Sequence, residues 1–190
     1  MADNHALIRG DHTLQVAHQM PFEGFGNPKP AVVMVPILMR PEPTVLLTVR
    51  ASSLREHSGQ ISFPGGRVDE TDKSLYAAAL READEEIGLP QDKVSLLGYL
   101  DFYLSVTNYL VTPVVAKVAP DFVMQLNPDE VDEAFEVPLA FLMNPEKHEL
   151  HSRMLRGMKR YYYAIPYQER YIWGVTAGII HNMYERLFTS

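Results

Sequence analysis

Apolar residues recur with two different spacings along this chain, and the spacing separates its predicted strands from its predicted helices. The stretches AVVMVPILM (31–39) and TVLLTVR (44–50) are rich in β-branched and aliphatic residues, with the turn-forming RPEPT between them. They predict two strands that can pair as a hairpin. Similar composition predicts one short strand and four longer ones at 60–63, 93–105, 109–119, 134–142 and 161–174.

Two other segments have apolar residues at the 3.6-residue spacing of an amphipathic helix. The first spans about 73–87, and Gly88 directly after it predicts its end. Asp72 or Thr71 is the predicted N-cap of this helix. The second helical segment, VTAGIIHNMYERLF, spans 175–188.

Strands interrupted by two helices predict a layered α/β domain with a mixed sheet. The chain has 190 residues, 46% of them hydrophobic, which suffices for one domain with a continuous core. Residues 1–30 show no sustained period and end in GFGNPKP. We therefore expect an N-terminal arm or covering segment at 1–30 and a single domain at 31–190.

Charge and composition argue against several classes of protein and site. Lys and Arg number 17 against 24 Asp and Glu, a formal charge of −7, which disfavours non-specific binding to nucleic acid or to a membrane surface. The absence of cysteine excludes disulfides, thiolate metal sites and a cysteine nucleophile. The longest apolar run, 31–39, is too short to span a bilayer, and the first residues lack the pattern of a signal peptide. We expect a cytoplasmic protein.

Four acidic residues crowd into the end of the first predicted helix, in READEEIGLP (81–90). At about 100° per residue, Glu82, Glu85 and Glu86 lie within roughly 100° of one another, while Asp84 points away. Negative charge at a helix C-terminus opposes the macrodipole, and the Glu82–Glu86 pair adds repulsion of about 0.2–0.5 kcal/mol. A solvated helix face is the ordinary interpretation of such a run, whereas a bound cation would remove the repulsion.

The sequence FPGGRVD ahead of this helix favours the cation. Gly65 and Gly66 after Pro64 predict a tight turn at which backbone can approach a ligand without an intervening Cβ. A carbonyl in that turn and carboxylates on the helix are hard oxygen donors of the kind that Mg²⁺ and Mn²⁺ accept. For the glycines alone, a simple structural turn is the alternative.

The segment GGRVDETDKSLYAAALREADEEIGL (65–89) resembles the Nudix box, whose pattern is G-x5-E-x7-R-E-U-x-E-E-x-G-U with U aliphatic. The second half of the pattern matches at Arg81, Glu82, Ala83, Glu85, Glu86, Gly88 and Leu89. The first half departs from it, because Gly66 and Arg81 lie one residue further apart than the pattern allows. Lys73 therefore occupies the first acidic position, and the adjacent Asp72 is its candidate substitute.

The preceding segment, LLTVRASSLREHSGQISFPGGRVD (46–69), resembles the extension of the coenzyme A diphosphatase branch of that family. The pattern of this extension is L-L-T-x-R-[SA]-x3-R-x3-G-x3-F-P-G-G-x2-D. Its defined positions are matched by Leu46, Leu47, Thr48, Arg50, Ala51, Arg55, Gly59, Phe63, Pro64, Gly65, Gly66 and Asp69. The two patterns together cover about a quarter of the chain.

The resemblance implies a Nudix-type α/β/α sandwich, with a mixed sheet between helices, and a metal-dependent pyrophosphohydrolase. The implied substrate is coenzyme A or its thioesters, cleaved to 4′-phosphopantetheine and adenosine 3′,5′-bisphosphate with Mg²⁺ or Mn²⁺ as cofactor. Glu82, Glu85, Glu86 and the Gly66 carbonyl would hold the metal. Arg81 would pair with a carboxylate and tie the helix to the loop.

The catalytic base that the family implies is Glu82 or an acid from a later loop. NPDEVDE, which precedes a predicted strand, offers a second acidic cluster of Asp129, Glu130, Asp132 and Glu133. We favour Glu130 as the acid that contributes to catalysis, against a solvated loop as the alternative.

A diphosphate and a 3′-phosphate require local positive charge in an acidic protein. The candidate substrate-binding residues in the matched extension are Arg50, Arg55, Gly59, Gly65 and Arg67. For the basic run RMLRGMKR (153–160) we expect a solvated loop, although it could reach the adenine or the 3′-phosphate. We expect Trp173 and its neighbouring tyrosines in the core or on a sheet face. His148 and His151 lack obvious partner acids for zinc, and His57 is expected to satisfy a loop hydrogen bond.

Two alternatives stay open at this point. The same chemistry could act on ADP-ribose, a dinucleoside polyphosphate or a nucleoside triphosphate, since the box alone does not separate these substrates. A non-catalytic Nudix-fold binding module is kept open by the one-residue misfit and disfavoured by the retained acids. We expect a small-molecule substrate, no nucleic-acid or membrane partner, and aromatic C-terminal strands that would suit a homodimer.

Overall fold

The computed structural model describes residues 8–10, 27–54, 57–155 and 157–189. Their strands are β1 (Ile8–Gly10), β2 (Lys29–Leu38), β3 (Thr44–Arg50), β4 (Ile61–Ser62), β5 (Gly65–Arg67), β6 (Val94–Tyr99), β7 (Phe102–Leu104), β8 (Tyr109–Val118), β9 (Val131–Pro138), β10 (Glu149–Leu155), β11 (Met158–Tyr167) and β12 (Arg170–Trp173). Their helices are α1 (Leu75–Ile87), α2 (Leu139–Leu142) and α3 (Val175–Phe188). None of these helices has the length and apolar composition needed to cross a bilayer.

The larger sheet is mixed and is organised around β2. On one side β2 runs parallel to β8 over its whole length, and β8 in turn pairs antiparallel with β6 and β7. On the other side β2 pairs antiparallel with β3 at Ile37↔Val45 and with β5 at Val33↔Gly65. One edge of β2 is thus divided between β3, which continues to β9, and the strand that carries the paired glycines.

The two faces of this sheet carry separate cores, because successive residues of a strand point to opposite sides. Met34 and Leu46 enter the core with α1, whereas their neighbours Val35 and Leu47 enter the core with α3. All four side chains are at most 1% exposed. Helices on both faces of a mixed sheet confirm the α/β/α sandwich expected from the sequence.

A second, antiparallel sheet consists of β10, β11 and β12 and packs against α3. Its first hairpin closes at Leu155↔Met158, with Gly157 at φ 76° in the turn. The prediction of a solvated loop at 153–160 is therefore wrong, since the basic run forms the end of a two-stranded ribbon. Glycine is the residue that a tight hairpin turn with positive φ requires.

Most predicted strands are confirmed, although two of the long ones are each divided into two, as β6 and β7 and as β11 and β12. Two boundaries also differ. β9 already includes Asp132 and Glu133, which we had placed in a loop. The strand predicted for 134–142 ends at Pro138, and the chain continues as α2. Proline lacks the N–H that a sheet ladder needs, so it marks a natural end for the strand.

The first helix ends as predicted but begins with a different cap. Gly88 adopts φ 64° and its N–H bonds back to the last turn of α1. The N-cap is Ser74, whose hydroxyl accepts a first-turn N–H at 3.0 Å, so the predicted caps Asp72 and Thr71 are wrong. The carboxylate of Asp72 is instead bound by Arg81.

Two partly buried histidines fasten α3 to the segment after α2. His148 Nδ1 lies 3.0 Å from His181 Nδ1, and His148 Nε2 lies 2.7 Å from the Leu142 carbonyl oxygen. Because a carbonyl only accepts, His148 carries its proton on Nε2 and accepts at Nδ1 from His181. Burial lowers the pKa of both rings; Glu185 opposes this at His181, while Arg9 adds to it.

Acidification is expected to weaken the fold through this pair. Both folded pKa values lie below the unfolded value of about 6.5, so unfolding takes up protons and the free energy of unfolding falls as the pH decreases below about 7. His148→Gln, which keeps an N–H for the Leu142 carbonyl, should flatten this dependence in urea unfolding between pH 7 and 5. His151→Gln on the strand surface is the control, and equal flattening in both variants would contradict the assignment.

Candidate active site

The tight turn predicted at Gly65 and Gly66 is wrong, because both residues belong to strand β5 and pair with β2. This glycine strand lies directly against the acidic face of α1. A Cβ added to Gly66 would overlap the Glu82 carboxylate, so only glycine admits that side chain here. A Cβ on Gly65 would overlap the Val32 carbonyl oxygen of the neighbouring strand. The two glycines therefore serve different contacts, one with the helix carboxylate and one with β2.

Glu86 is the buried acid of the cluster, with 3% of its surface exposed. Its Oε2 has no hydrogen-bond partner among the described residues, and its Oε1 lies 4.0 Å from Arg50 Nη1. Burial raises the pKa of Glu86 to about 8; Arg50 opposes this rise, and the charges of Glu82 and Glu130 add to it. A buried carboxylate oxygen without a partner is costly unless a cation or a donor reaches it.

Arg81 joins the other carboxylates of the helix to the preceding loop. It donates to Glu82 Oε1 at 2.9 Å, to Glu85 Oε2 at 3.1 Å and to the Arg67 carbonyl at 3.2 Å. It also binds both carboxylate oxygens of Asp72, at 3.1 and 3.0 Å. This bidentate contact lowers the pKa of Asp72 and raises that of Arg81, so the loop stays tied to the helix across the neutral pH range.

The three glutamates of α1 lie at different depths. The Glu85 side chain is 49% exposed, that of Glu82 is 14% exposed, and Glu86 is buried. Burial raises the pKa of Glu82; the hydrogen bond from Arg81 opposes the rise, and the charges of Glu85 and Glu130 reinforce it. The carboxylate oxygens of the cluster therefore lie at successive depths, from Glu85 at the surface to Glu86 in the interior.

The loop before β9 brings Glu130 to the same place. Asn127 N–H donates to the Glu86 carbonyl at 3.0 Å, and Ala51 N–H donates to the Glu130 carbonyl at 2.9 Å, so the loop is fastened to both α1 and the end of β3. The negative charge of Glu130 raises the pKa of both Glu82 and Glu86. The Glu130 carboxylate therefore belongs to the same electrostatic cluster as the acids of α1.

The donor set suits a hard divalent cation. The oxygens of Glu82, Glu85, Glu86 and the Gly66 carbonyl are of the type that Mg²⁺ and Mn²⁺ accept. The unpartnered Glu86 Oε2 fits an ion, and the close approach of the Glu82 carboxylate to Gly66 brings its oxygens beside the backbone of the glycine strand. Within the described ranges, no three acidic or imidazole side chains are already gathered as a ligand set, and Arg81 forms ion pairs with two of the glutamates.

A cavity of about 420 Å³ opens beside Gly66. Its walls come from β2, β4, β5, the loop before β8, the β10–β12 sheet and the start of α3. Four arginines line it, namely Arg50, Arg67, Arg153 and Arg160, and no Asp or Glu is among its described lining residues. In a chain of formal charge −7, this is a locally cationic pocket.

Only some of the candidate substrate-binding residues line this cavity. Arg50, Gly65 and Arg67 line it, whereas Gly59 is not among the lining residues. Gly59 adopts φ 70°, and its N–H donates to the Arg50 carbonyl at 3.0 Å, so it shapes the loop. Arg55 lies outside the described residues.

Several other residues that the sequence singled out have local partners. These pairs are His57 with Gln60, His151 with Glu149, Asp132 with the Ser52 amide, and Glu133 with Arg170. Of these eight residues, His57 and Gln60 line the cavity. The loop hydrogen bond expected of His57 is therefore present, at 2.8 Å from its Nδ1 to Gln60 Oε1.

The cavity wall formed by β10–β12 is not predicted by the sequence. Arg153 Cζ lies 4.9 Å from the Trp173 ring centroid and 5.8 Å from that of Tyr162, and all three residues line the cavity. Trp173 and Tyr162 do lie on a sheet face, as expected, but this face is a pocket wall. The available signal was Gly157 between two strand-like runs, which is typical of a hairpin.

The chain resembles known proteins of one family. The sequence profile of the NUDIX domain family matches residues 28–158, which is more than half of the chain. The uncharacterized Nudix hydrolase NudL of Cronobacter sakazakii is 45% identical over 157 residues, 83% of this chain and 82% of that protein. The protein of the same name from Photorhabdus laumondii is 43% identical over 161 residues, 85% of this chain and 86% of that protein.

Solved structures share the fold at low sequence identity. The NUDIX domain of Shewanella oneidensis NrtR, in complex with ADP ribose, has a TM-score of 0.54 at 19% identity and covers 87% of this chain and 92% of its own. A C. elegans Ap4A hydrolase in a binary complex has a TM-score of 0.50 at 20% identity and covers 58% of this chain and 80% of its own. The domain match and the extent of similarity to the NudL proteins lead to one conclusion: the chain belongs to the Nudix hydrolase family.

Proposed function

We propose that this protein is a Mg²⁺- or Mn²⁺-dependent pyrophosphohydrolase that cleaves the diphosphate of coenzyme A, or of its thioesters. The products are 4′-phosphopantetheine and adenosine 3′,5′-bisphosphate. Family membership supports hydrolysis of a phosphoric anhydride in a nucleoside diphosphate derivative. The choice of coenzyme A rests on the sequence extension at 46–69, whose second half supplies much of the cavity lining.

The observation that carries the proposal is the contact between a carboxylate cluster and a cationic cavity at Gly66. This glycine touches Glu82 and also lines the cavity. A diphosphate held by Arg50 and Arg67 would therefore lie next to the helix acids, with cations between the two sets of negative charge. The cavity volume is within the range of about 300–1,000 Å³ that is usual for small-molecule sites.

Each part of the chain then has a defined task. A divalent cation in the site supplies charge neutralisation at the phosphoryl oxygens and a water of lowered pKa. Glu82, Glu85, Glu86 and the Gly66 carbonyl would hold it. Arg81 keeps the helix and the loop in one geometry through its contacts with both.

Hydrolysis also requires a carboxylate that accepts the proton of the attacking water. Glu82 and Glu130 are the two candidates. The raised pKa of Glu82 makes it a better proton acceptor near neutral pH than an ordinary carboxylate. Glu130 is electrostatically coupled to the acids of α1 but does not belong to the proposed ligand set.

Removing one helix carboxylate should abolish turnover and leave the fold intact. For Glu85→Gln we expect kcat to fall by about 10²–10³-fold or more, because charge stabilisation at the phosphoryl group is lost. Calorimetric uptake of Mg²⁺ or Mn²⁺ should weaken in parallel, with an unchanged circular dichroism spectrum. Asp84→Asn, a neighbour on the exposed side of the same helix, is the matched control and should stay active. Near-normal hydrolysis by both Glu85→Gln and Glu86→Gln would refute the ligand assignment.

The buried Glu86 should reduce the stability of the metal-free protein at alkaline pH. Its folded pKa of about 8 exceeds the ordinary 4.5, so its stabilising contribution is lost as the pH rises from about 5 to 8. Glu86→Gln should therefore raise the free energy of unfolding at pH 8.5, by as much as about 4 kcal/mol, and should be inactive. Unfolding in EDTA at pH 8.5 and 5 provides the measurement. Identical stability of the two proteins at pH 8.5 would show that this carboxylate is not desolvated.

The substrate is identified by comparing kcat/KM for coenzyme A, ADP-ribose and a nucleoside triphosphate at millimolar Mg²⁺. We expect coenzyme A to have the highest value, by at least about tenfold. A higher value for another compound would identify that compound as the substrate, and the proposed type of reaction would stand. Measurable binding without phosphate-ester products from any of the three would instead indicate a non-catalytic module.

A further inference from the structure

We propose that Arg153 and Arg160 form a subsite for a phosphomonoester of the substrate, separate from the diphosphate that is cleaved. The inference rests on the proposed function, because it names a second anionic group on the same diphosphate substrate. Both residues line the cavity from the β10–β12 sheet, whereas the glycines and the carboxylates belong to β5 and α1.

The strand register places the two cations opposite each other. Arg153 is the partner of Arg160 in the β10–β11 ladder. Both side chains also line the cavity. Phosphate oxygens match the forked donors of guanidinium groups. The register thus brings two such groups to a place where one phosphate can contact both.

Arg153 is held by aromatic rings and not by a carboxylate. Its guanidinium lies over Trp173 and Tyr162, and no ion pair joins it to any residue that the structure describes. Arg170 on β12 differs, since Glu133 neutralises it. Aromatic faces orient a guanidinium without cancelling its charge. The charge of Arg153 is therefore available to a ligand in the cavity.

The start of α3 adds to the positive character of this region. Gly174, Val175 and Thr176 line the cavity, and the N-cap residue, Gly174, has no side chain to cap the first-turn N–H groups of the helix. N–H groups at the beginning of a helix favour anions. Together with the two arginines, they make this region suitable for a doubly charged phosphomonoester.

The substrate class that follows is a nucleoside diphosphate derivative with an additional phosphomonoester. Arg50 and Arg67 belong to the β3–β5 region beside the glycines, and Arg153 and Arg160 belong to the second sheet. Two cationic groups on different structural elements match a ligand with two separate anionic groups. In coenzyme A, the second group is the 3′-phosphate of the ribose.

The test compares coenzyme A with 3′-dephospho-coenzyme A, which differ only in that phosphate. Arg153→Gln and Arg160→Gln should each lower kcat/KM for coenzyme A by about 10- to 100-fold and change the value for the dephospho compound by less than about twofold. Arg153→Lys, which keeps the charge but loses the fork, should give an intermediate ratio.

Lys159→Gln is the matched control for these variants. It removes one positive charge from the same strand, but its side chain points to the sheet face opposite to that of Arg160, and it is not among the cavity-lining residues. The ratio of the two kcat/KM values should therefore stay at the wild-type level. Equal losses on both substrates, or an unchanged ratio in both arginine variants, would overturn the proposal.

A binding measurement separates this inference from the proposed function. Adenosine 3′,5′-bisphosphate and adenosine 5′-monophosphate are titrated into the protein in EDTA, where neither turnover nor metal contributes. We expect the wild type to prefer the bisphosphate by at least about tenfold, and Arg153→Gln to lose this preference. A preference for the bisphosphate without coenzyme A hydrolysis would contradict the proposed function and support the subsite. Coenzyme A hydrolysis without this preference would contradict the subsite and support the proposed function.

Discussion

The contact between Gly66 and the Glu82 carboxylate is the constraint on which the site depends, because any side chain at that glycine would displace the carboxylate from this position. The rest of the sandwich supports this contact. β2 holds the glycine strand on one edge, and alternate residues of β2 and β3 bury α1 on the same face. Glu86 lies deeper in this junction, and its Oε2 has no hydrogen-bond partner in the part of the chain that the structure describes. Packing thus forces together groups that electrostatics would separate, and the arrangement makes sense around cations.

Charge is segregated on the two sides of this glycine strand. Carboxylates gather on the side of α1, whereas four arginines and no described acid line the cavity. Arg50 connects the two regions, since it lines the cavity and its Nη1 lies 4.0 Å from Glu86 Oε1. Such a boundary suits the cleavage of an anhydride, where negative substrate and negative ligands must approach each other with positive charge between them.

Features set by local spacing could be predicted from the sequence, and features set by distant contacts could not. The end of α1 at Gly88 and the grouping of its glutamates follow from helical geometry over a few residues. The N-cap was misassigned because Asp72, a good capping residue, is taken up by Arg81 on the next turns of the helix. The position of Glu130 depends on backbone bonds to α1 and β3, and that of Arg153 depends on a hairpin whose basic composition is typical of a loop.

The β10–β12 sheet has its own hydrogen-bond ladder and closes its hairpin at a single glycine turn. Insertions or replacements in that turn leave the register of β2, β5 and α1 untouched, because no ladder joins the two sheets within the described residues. The proposed phosphomonoester subsite and the proposed metal site can therefore vary independently of each other. Replacing the β10–β11 hairpin would change the wall of the cavity, and thus the ligands it accepts, without altering the strands that hold the acidic cluster.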